Sequence, residues 1–295
     1  MGSIVNSLKS LENSAANFTV ETFAAVLKPE WIEEAAAHAT APTERDRKLP
    51  CVFVLWLTIG LNVYRSLSIQ NVLRRLGNGL ATASIWKDGE VPSSAATTEA
   101  RDRLGYEAVK WLLHRFQDWL MATFDAAMRW RGLLLFIIDG TTLKTPDSPA
   151  NRDHFGLPGT SRGGRAAFPQ MRVLFLVSAK LRFIIRAWFA PYRQSEVGLA
   201  MTILNEVPAK SLLLLDRAYL AWWLLWNIQK NGSHFLVRVK RRIRRRRVYK
   251  IGSNDWIVRV KIPRALRRMH PELPLSLELR ELATRIKGRW YHYFT

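Results

Sequence analysis

The sequence predicts an α/β fold, a mixed sheet with flanking helices that follows an all-α region and precedes a basic, β-rich segment. Three observations support this prediction. Apolar residues in the first half recur at helical spacing. Short apolar runs then alternate with helical segments. From Lys230 onward, 19 Lys and Arg residues stand against 4 Asp and Glu residues. We therefore expect a tail (1–20), a helical domain (21–128), an α/β core (129–239) and a basic insertion (240–295).

The helical half contains one strongly apolar segment and one amphipathic segment. Residues 51–63 are nearly all apolar, but they fall short of the ~18 residues of a membrane span, so we expect a buried helix and no membrane partner. A later helix has apolar residues at positions i, i+3, i+4, i+7 and i+11: Val109, Leu112, Leu113, Phe116 and Leu120. Whether its polar face is merely solvated or contacts DNA stays open.

The expected core has the order strand, hairpin, helix, strand, helix, strand. The apolar run 133–138 is the first strand, and the runs 171–178 and 182–189 form an antiparallel hairpin. A helix over 194–206 begins with Ser195 as N-cap. The remaining elements are a strand over 211–215, a helix over 219–230 and a strand over 234–239.

Two aspartates, Asp139 and Asp216, each follow an apolar run that predicts a buried strand. Either one alone reads best as a residue capping a loop. A ribonuclease-H-like sheet, however, places its first and fourth strands side by side, and parallel neighbours lie about 4.8 Å apart. Two carboxylates at matching strand ends then share metal ions, as in two-metal phosphoryl-transfer sites. Hard oxygen ligands favour Mg²⁺ or Mn²⁺.

The motifs around these aspartates resemble a known family, the DDE transposases of the insertion sequence four (IS-four) group. The resemblance rests on Asp-Gly-Thr (139–141), on the loop 155–164, on Ala-Phe-Pro-Gln-Met-Arg-Val (167–173) and on Asp-Arg-Ala-Tyr (216–219). Arg-Lys-Leu-Pro (47–50) and the apolar helix after it are similar to that family's helical N-terminal domain. The resemblance implies a ribonuclease-H-like core in which Asp139 and Asp216 are the first two acidic metal ligands.

The resemblance also implies a third acid, a Glu within the pattern Tyr, two residues, Arg, three residues, Glu, six residues, Lys. That pattern is absent: Tyr291 is followed by Phe294 where Arg is expected. We expect the chain to stop before this acid, so that it is inactive as it stands. If another acid replaces it, the candidates are Glu272, Glu278 and Glu281.

A run of seven cations in eight positions opens the basic segment: Lys240, Arg241, Arg242, Arg244, Arg245, Arg246 and Arg247. Mutual repulsion makes a phosphate backbone a better explanation than a solvated loop. We also expect DNA contacts from Arg162 and Arg165 in the Gly-rich loop and from Arg217. Tyr249 and Trp256 are either stacking platforms for bases or core residues of the insertion.

The composition agrees with a nucleic-acid partner, because 45 Lys plus Arg against 24 Asp plus Glu give a net charge of +21. The single cysteine excludes an intrachain disulfide and a Cys-based zinc site. The N-terminus does not have the pattern of a secretory signal. We expect a cytoplasmic, nucleoid-associated protein that binds double-stranded DNA, transposon ends and target alike, as a homodimer in a synaptic complex.

The sequence therefore predicts a DNA transposase that cleaves DNA and transfers strands with Mg²⁺ or Mn²⁺. Two alternatives stay open. One is a nuclease or resolvase of the same ribonuclease-H-like fold, and the other is a non-catalytic, basic DNA-binding remnant.

Overall fold

The computed structural model describes residues 26–41, 49–79, 91–159, 164–239 and 243–295. The chain divides into two compact units, one that ends at Trp119 and one that spans Leu120–Thr295. The predicted tail (1–20), Arg162 and residues 240–242 lie outside the described residues.

The first unit is helical, as predicted. Its helices are α1 (Pro29–Ala36), α2 (Cys51–Val63), α3 (Ile69–Gly79) and α4 (Ser94–Met128), the last of which continues into the second unit. Helix α2 is the apolar segment, and Phe53, Val54, Leu55 and Leu57 are buried in the core of this unit. Within the described ranges, no helix is both long and apolar enough to cross a membrane.

The second unit holds the strands. They are β1 (Arg129–Trp130), β2 (Leu133–Lys144), β3 (Gln170–Ser178), β4 (Ile184–Pro191), β5 (Ser211–Leu215), β6 (His234–Arg238), β7 (Arg246–Gly252), β8 (Asp255–Lys261), β9 (Ser276–Ile286) and β10 (Arg289–Phe294). Four helices lie between them: α5 (Pro149–Phe155), α6 (Glu196–Thr202), α7 (Trp222–Lys230) and α8 (Arg264–Met269). Two 3₁₀ turns, Leu204–Glu206 and Arg217–Tyr219, complete the unit.

These strands form one mixed sheet in the order β4-β3-β2-β5-β6-β10-β9-β8-β7, with β1 paired to β2. Strands β2, β5 and β6 are parallel, whereas the β3–β4 hairpin runs antiparallel on the other side of β2. The first long strand thus lies beside the fourth, which confirms the predicted ribonuclease-H-like arrangement. The basic segment is β-rich, as expected. It continues the same sheet because β10 pairs with β6.

The core of the second unit explains why these strands form. Alternate residues of β2 and β5 are buried on one face, among them Phe136, Ile138 and Leu213. Helix α7 contributes Leu224 and Ile228 to the same cluster. Burial of each such side chain contributes roughly 1.5–3 kcal/mol. This packing fixes the register of the strands that carry the two aspartates.

The three largest differences from the predicted element boundaries are the following. Strand β2 does not end at residue 138 but continues to Lys144, because β3 pairs with it along residues 136–144 and satisfies its backbone. The predicted helix 194–206 ends at Thr202, and a 3₁₀ turn follows. Helix α7 begins at Trp222 rather than at residue 219, because Asp216 caps a separate 3₁₀ turn.

Candidate active site and nucleic-acid interface

The pairing register of β2 and β5 places Asp139 and Asp216 at equivalent positions. Ile138 and Leu215 are the last paired residues of these parallel strands. Asp139 and Asp216 are the residues that directly follow this last pair, and both are exposed. Neighbouring parallel strands lie about 4.8 Å apart, so the two aspartates lie side by side at the carboxyl end of β5.

Local backbone hydrogen bonds hold both carboxylates. Oδ1 of Asp139 accepts from the Gly140 amide at 3.0 Å. Oδ1 of Asp216 accepts from the Ala218 amide at 2.6 Å, as the N-cap of the turn Arg217–Tyr219. Neither carboxylate forms an ion pair with any residue that the structure describes, so the Oδ2 atoms are left for other ligands.

Tyr219 follows Asp216 by three residues and is almost fully buried, with 1% of its surface exposed. Burial raises the pKa of the Tyr219 hydroxyl, and the negative charges of Glu196, Asp139 and Asp216 raise it further. The hydroxyl therefore stays protonated at physiological pH. All three carboxylates are close enough to act on it electrostatically.

Glu196 is the residue at this site that the sequence did not reveal. It is the first residue of α6, after Ser195, whose predicted N-cap role is confirmed by a hydrogen bond from the Gly198 amide. Arg172 donates from Nη1 to Glu196 Oε1 at 2.7 Å. A glutamate in the first turn of a helix is common for electrostatic reasons alone, and no local signal marks this one.

The carboxylate pair has the chemistry of a divalent-metal site. Within the ranges that the structure describes, no group of three or more His, Cys, Asp and Glu side chains is arranged to hold a metal ion. Asp139 and Asp216 are the two acids here that the sequence predicted as ligands, and the Glu196 carboxyl group lies against Gly140.

The three glutamates considered as candidates for the third acid lie elsewhere. Glu278 binds Arg259, and Glu272 lies 3.6 Å from His270. Glu281 binds Arg245 and His292. Strand β9, which carries Glu278 and Glu281, is separated from β5 by β6 and β10. These acids are engaged within the insertion.

Glu281 holds part of the insertion together. Its side chain is only 5% exposed. Burial alone would raise the pKa of the Glu281 carboxyl, but hydrogen bonds from Arg245 and His292 outweigh burial and hold that pKa below its usual range. The ionised carboxylate therefore stabilises the fold at neutral pH. That contribution is lost as the pH falls through the lowered pKa.

Glu281→Gln is expected to reduce the free energy of unfolding by about 1.5–3 kcal/mol at pH 7, because it removes charged hydrogen bonds from a buried site. The difference in unfolding free energy between the variant and the parent should have its full size at pH values above the ordinary glutamate pKa. It should shrink as the pH falls below that pKa. Urea unfolding at several pH values measures both effects.

Glu278→Gln is the matched control, because it also removes a carboxylate of β9 that is bound by an arginine, here Arg259 of β8. Both partners are about half exposed, so its cost should stay near 0–1 kcal/mol. Equal losses in the two variants would contradict the role given to Glu281.

The cations expected to bind DNA differ in their surroundings. Arg244, Arg246 and Arg247 are exposed, whereas Arg245 is half-buried against Glu281. Arg165 is exposed, and its backbone forms an isolated antiparallel bridge with Gly159. Arg217, the residue after Asp216, is also exposed.

The two rings considered as base-stacking platforms also differ. Tyr249 is 56% exposed, whereas Trp256 is partly covered by Arg247, whose guanidinium lies 4.4 Å from the ring centroid. Tyr249 is therefore the more accessible platform.

A second basic surface was not expected from the sequence. A cleft of about 540 Å³ lies where β6 meets β10, and it is lined by Arg238, Val239, Arg245, Arg289, Trp290, Tyr291 and His292. Arginines together with aromatic rings suit phosphates and bases.

Comparison with known proteins assigns the family. Residues 130–290 match the family model described as the transposase DDE domain. Residues 17–114 match the model described as the insertion element 4 transposase N-terminal domain. The chain therefore belongs to the DDE transposases of the insertion sequence 4 family.

Two relatives come from Escherichia coli (strain K12). The InsZ protein, named as a transposase, is 32% identical over 220 residues, which cover 73% of this chain and 70% of InsZ. The transposase InsG for insertion sequence element IS4 is 28% identical over 274 residues, which cover 91% of this chain and 60% of InsG. This chain thus spans well under the full length of both relatives.

A solved structure also matches, a piggyBac transposase synaptic complex with hairpin DNA. The sequence identity is 10% and the TM-score is 0.30, with 91% of this chain and 61% of that chain covered.

Proposed function

We propose that this chain supplies the DNA-binding and metal-binding core of a cut-and-paste transposase. The observation that carries the proposal is the β2–β5 register, in which Asp139 and Asp216 follow the last paired residues of two neighbouring parallel strands. Membership of the DDE transposases supports it.

The residues present fit a divalent metal ion. Both carboxylates are exposed and anchored through one oxygen. Carboxylate oxygens are the preferred ligands of Mg²⁺ and Mn²⁺. We propose that Asp139 and Asp216 hold this metal. When bound, it would make an attacking oxygen more nucleophilic and stabilise a leaving oxygen in phosphodiester chemistry.

The reaction proposed begins with attack of water on a phosphodiester, which breaks one DNA strand and frees a 3′-hydroxyl. That hydroxyl then attacks a phosphorus of the target strand, forms a new phosphodiester and displaces the target's own 3′-oxygen. Asp139 and Asp216 would hold the ion, and the reacting phosphate would bind next to these two carboxylates. Arg217 follows Asp216 directly and is exposed, so it would contact the DNA backbone near the reacting bond. Arg165 and the basic residues after β6 would bind phosphates further along the duplex.

The proposed partner is double-stranded DNA, both transposon ends and target. Joining two ends to one target requires two active sites, so we propose a homodimer in a synaptic complex. The basic surface of the insertion gives affinity rather than base preference, because phosphate contacts carry no direct sequence information.

Two observations favour a second candidate, a DNA-binding protein without catalysis of its own. The pattern with the third acid is absent from the sequence, and the described residues contain no group of three or more potential metal ligands arranged to hold a metal ion. DNA binding is common to both candidates, and strand chemistry separates them.

The test combines the 295-residue chain with a duplex and a supercoiled plasmid, in Mg²⁺ or Mn²⁺. We expect retarded DNA on a gel but neither nicked nor joined plasmid, because two acids fix the ions less precisely than three. A displacement of even 1 Å costs on the order of 10²-fold in rate.

Each other outcome has a clear meaning. If the 295-residue chain does not bind the duplex at low salt, the proposed function is contradicted. Joined products that disappear in Asp139→Ala would show that this chain completes transposition alone, and nicking without joining would favour a nuclease.

A further inference from the structure

Glu196 bridges the two segments that carry the proposed metal ligands. On one side its carboxyl group lies against Gly140, the residue after Asp139. A Cβ atom added to Gly140 would lie 2.9 Å from Cδ and 3.1 Å from Oε2 of Glu196. Real Cβ atoms do not approach other atoms so closely, so only glycine at position 140 admits Glu196 in its present place.

On the other side, Glu196 meets the turn that follows Asp216. The Tyr219 hydroxyl donates to Glu196 Oε2 at 3.5 Å. Tyr219 closes the 3₁₀ turn that Asp216 caps, and its ring is buried. A shift of the Glu196 side chain would therefore change its contacts with both of the segments that carry the aspartates.

Arg172 fixes Glu196 from β3. Its side chain is 14% exposed, and it donates both to Glu196 Oε1 and to the carbonyl oxygen of Tyr192, at 3.4 Å. Its guanidinium also lies 5.3 Å from the Tyr192 ring centroid. An arginine held in this way is a rigid donor, which makes the position of the glutamate well defined.

We infer that Glu196 is a positioning residue of the proposed metal site, holding the segments of Asp139 and Asp216 at the separation that a shared divalent ion requires. This inference rests on the proposed function. Outer-shell groups of this kind typically contribute 10- to 100-fold to metal affinity.

The test measures Mn²⁺ affinity of the full 295-residue chain from the paramagnetic resonance signal of unbound Mn²⁺. Glu196→Ala is expected to weaken binding about 10- to 100-fold. Glu196→Gln keeps the shape and can still accept from Arg172, so it should lose clearly less than Glu196→Ala. A role limited to fold stability would not produce this partial rescue in metal affinity.

Gly140→Ala tests the contact between Gly140 and the Glu196 carboxyl group by changing the glycine instead of the glutamate. The added methyl group must displace the Glu196 carboxyl group, so Mn²⁺ binding should weaken in the same direction as in Glu196→Ala. The matched control is Glu278→Gln, which also removes a carboxylate from an arginine and should leave the Mn²⁺ affinity within about twofold. Thermal unfolding verifies that each variant is folded, and Glu196→Gln carries the test if Glu196→Ala does not fold.

Three results would overturn the inference. Unchanged affinity in Glu196→Ala, with binding lost in Asp139→Ala, would refute the role of Glu196 and leave the proposed metal site intact. Complete loss in both Glu196→Gln and Glu196→Ala would make Glu196 a direct ligand. Unchanged affinity in Asp139→Ala, or no Mn²⁺ binding by the parent, would refute the metal site and this inference together.

Discussion

Asp216→Asn is expected to weaken Mn²⁺ binding strongly at the proposed metal site while leaving the fold intact. The asparagine oxygen can still accept from the Ala218 amide and cap the turn Arg217–Tyr219. The negative charge and the second carboxylate oxygen are lost, however. The affinity should fall by more than the roughly 10- to 100-fold typical of outer-shell changes, because a direct ligand is removed.

Titration of Mn²⁺ into the parent and the variant measures this loss, and thermal unfolding shows that the fold is retained. Asp147→Asn is the matched control, since it also neutralises an aspartate of the second unit, one that is paired with Arg152. Its Mn²⁺ affinity should equal that of the parent. An Asp216→Asn chain that binds Mn²⁺ as well as the parent would contradict the assignment of Asp216 as a ligand.

Replacing Arg244, Arg246 and Arg247 together with alanine is expected to weaken duplex binding steeply at low salt. Each phosphate contact adds about −0.9 to the slope of log K against log salt, so loss of three contacts should flatten the slope by about 2.7. Arg245 is left in place, because it binds Glu281 and its removal would destabilise the insertion. Fluorescence anisotropy with a mixed-sequence duplex at several salt concentrations gives the slope.

The control for this experiment removes the same formal charge from ion-paired positions. Arg129, Arg152 and Arg259 each bind an acidic partner. Their joint replacement by alanine should change the slope little. Equal flattening in both triple variants would mean that only net charge matters, and an unchanged slope in the first would show that its arginines are merely solvated.

The sequence predicted the sheet core well because its strands are uniformly apolar runs. Strand β5 has the predicted bounds, β3 and β4 form the predicted antiparallel hairpin, and β2 lies beside β5 as expected. The end of β2 was misplaced because residues 139–144 look like a loop by composition. Their extended conformation depends on pairing with β3, a contact that lies beyond the local pattern.

The parts that the sequence did not predict depend on residues far apart in the chain. Arg245 looks like its six cationic neighbours, but Glu281, 36 residues later, turns it inward. Glu196 looks like an ordinary first-turn acid until the fold brings Arg172, Gly140 and Tyr219 around it. Likewise, the pairing of β10 with β6 joins the insertion to the core sheet across more than 50 residues.

The central claim is that Asp139 and Asp216 hold a divalent metal ion between them. Anomalous diffraction from a crystal of the 295-residue chain soaked in Mn²⁺ tests it most directly. The account predicts an anomalous peak within about 2.0–2.4 Å of a carboxylate oxygen of each aspartate. A crystal that holds Mn²⁺ at other carboxylates but shows no anomalous peak at Asp139 and Asp216 would contradict it.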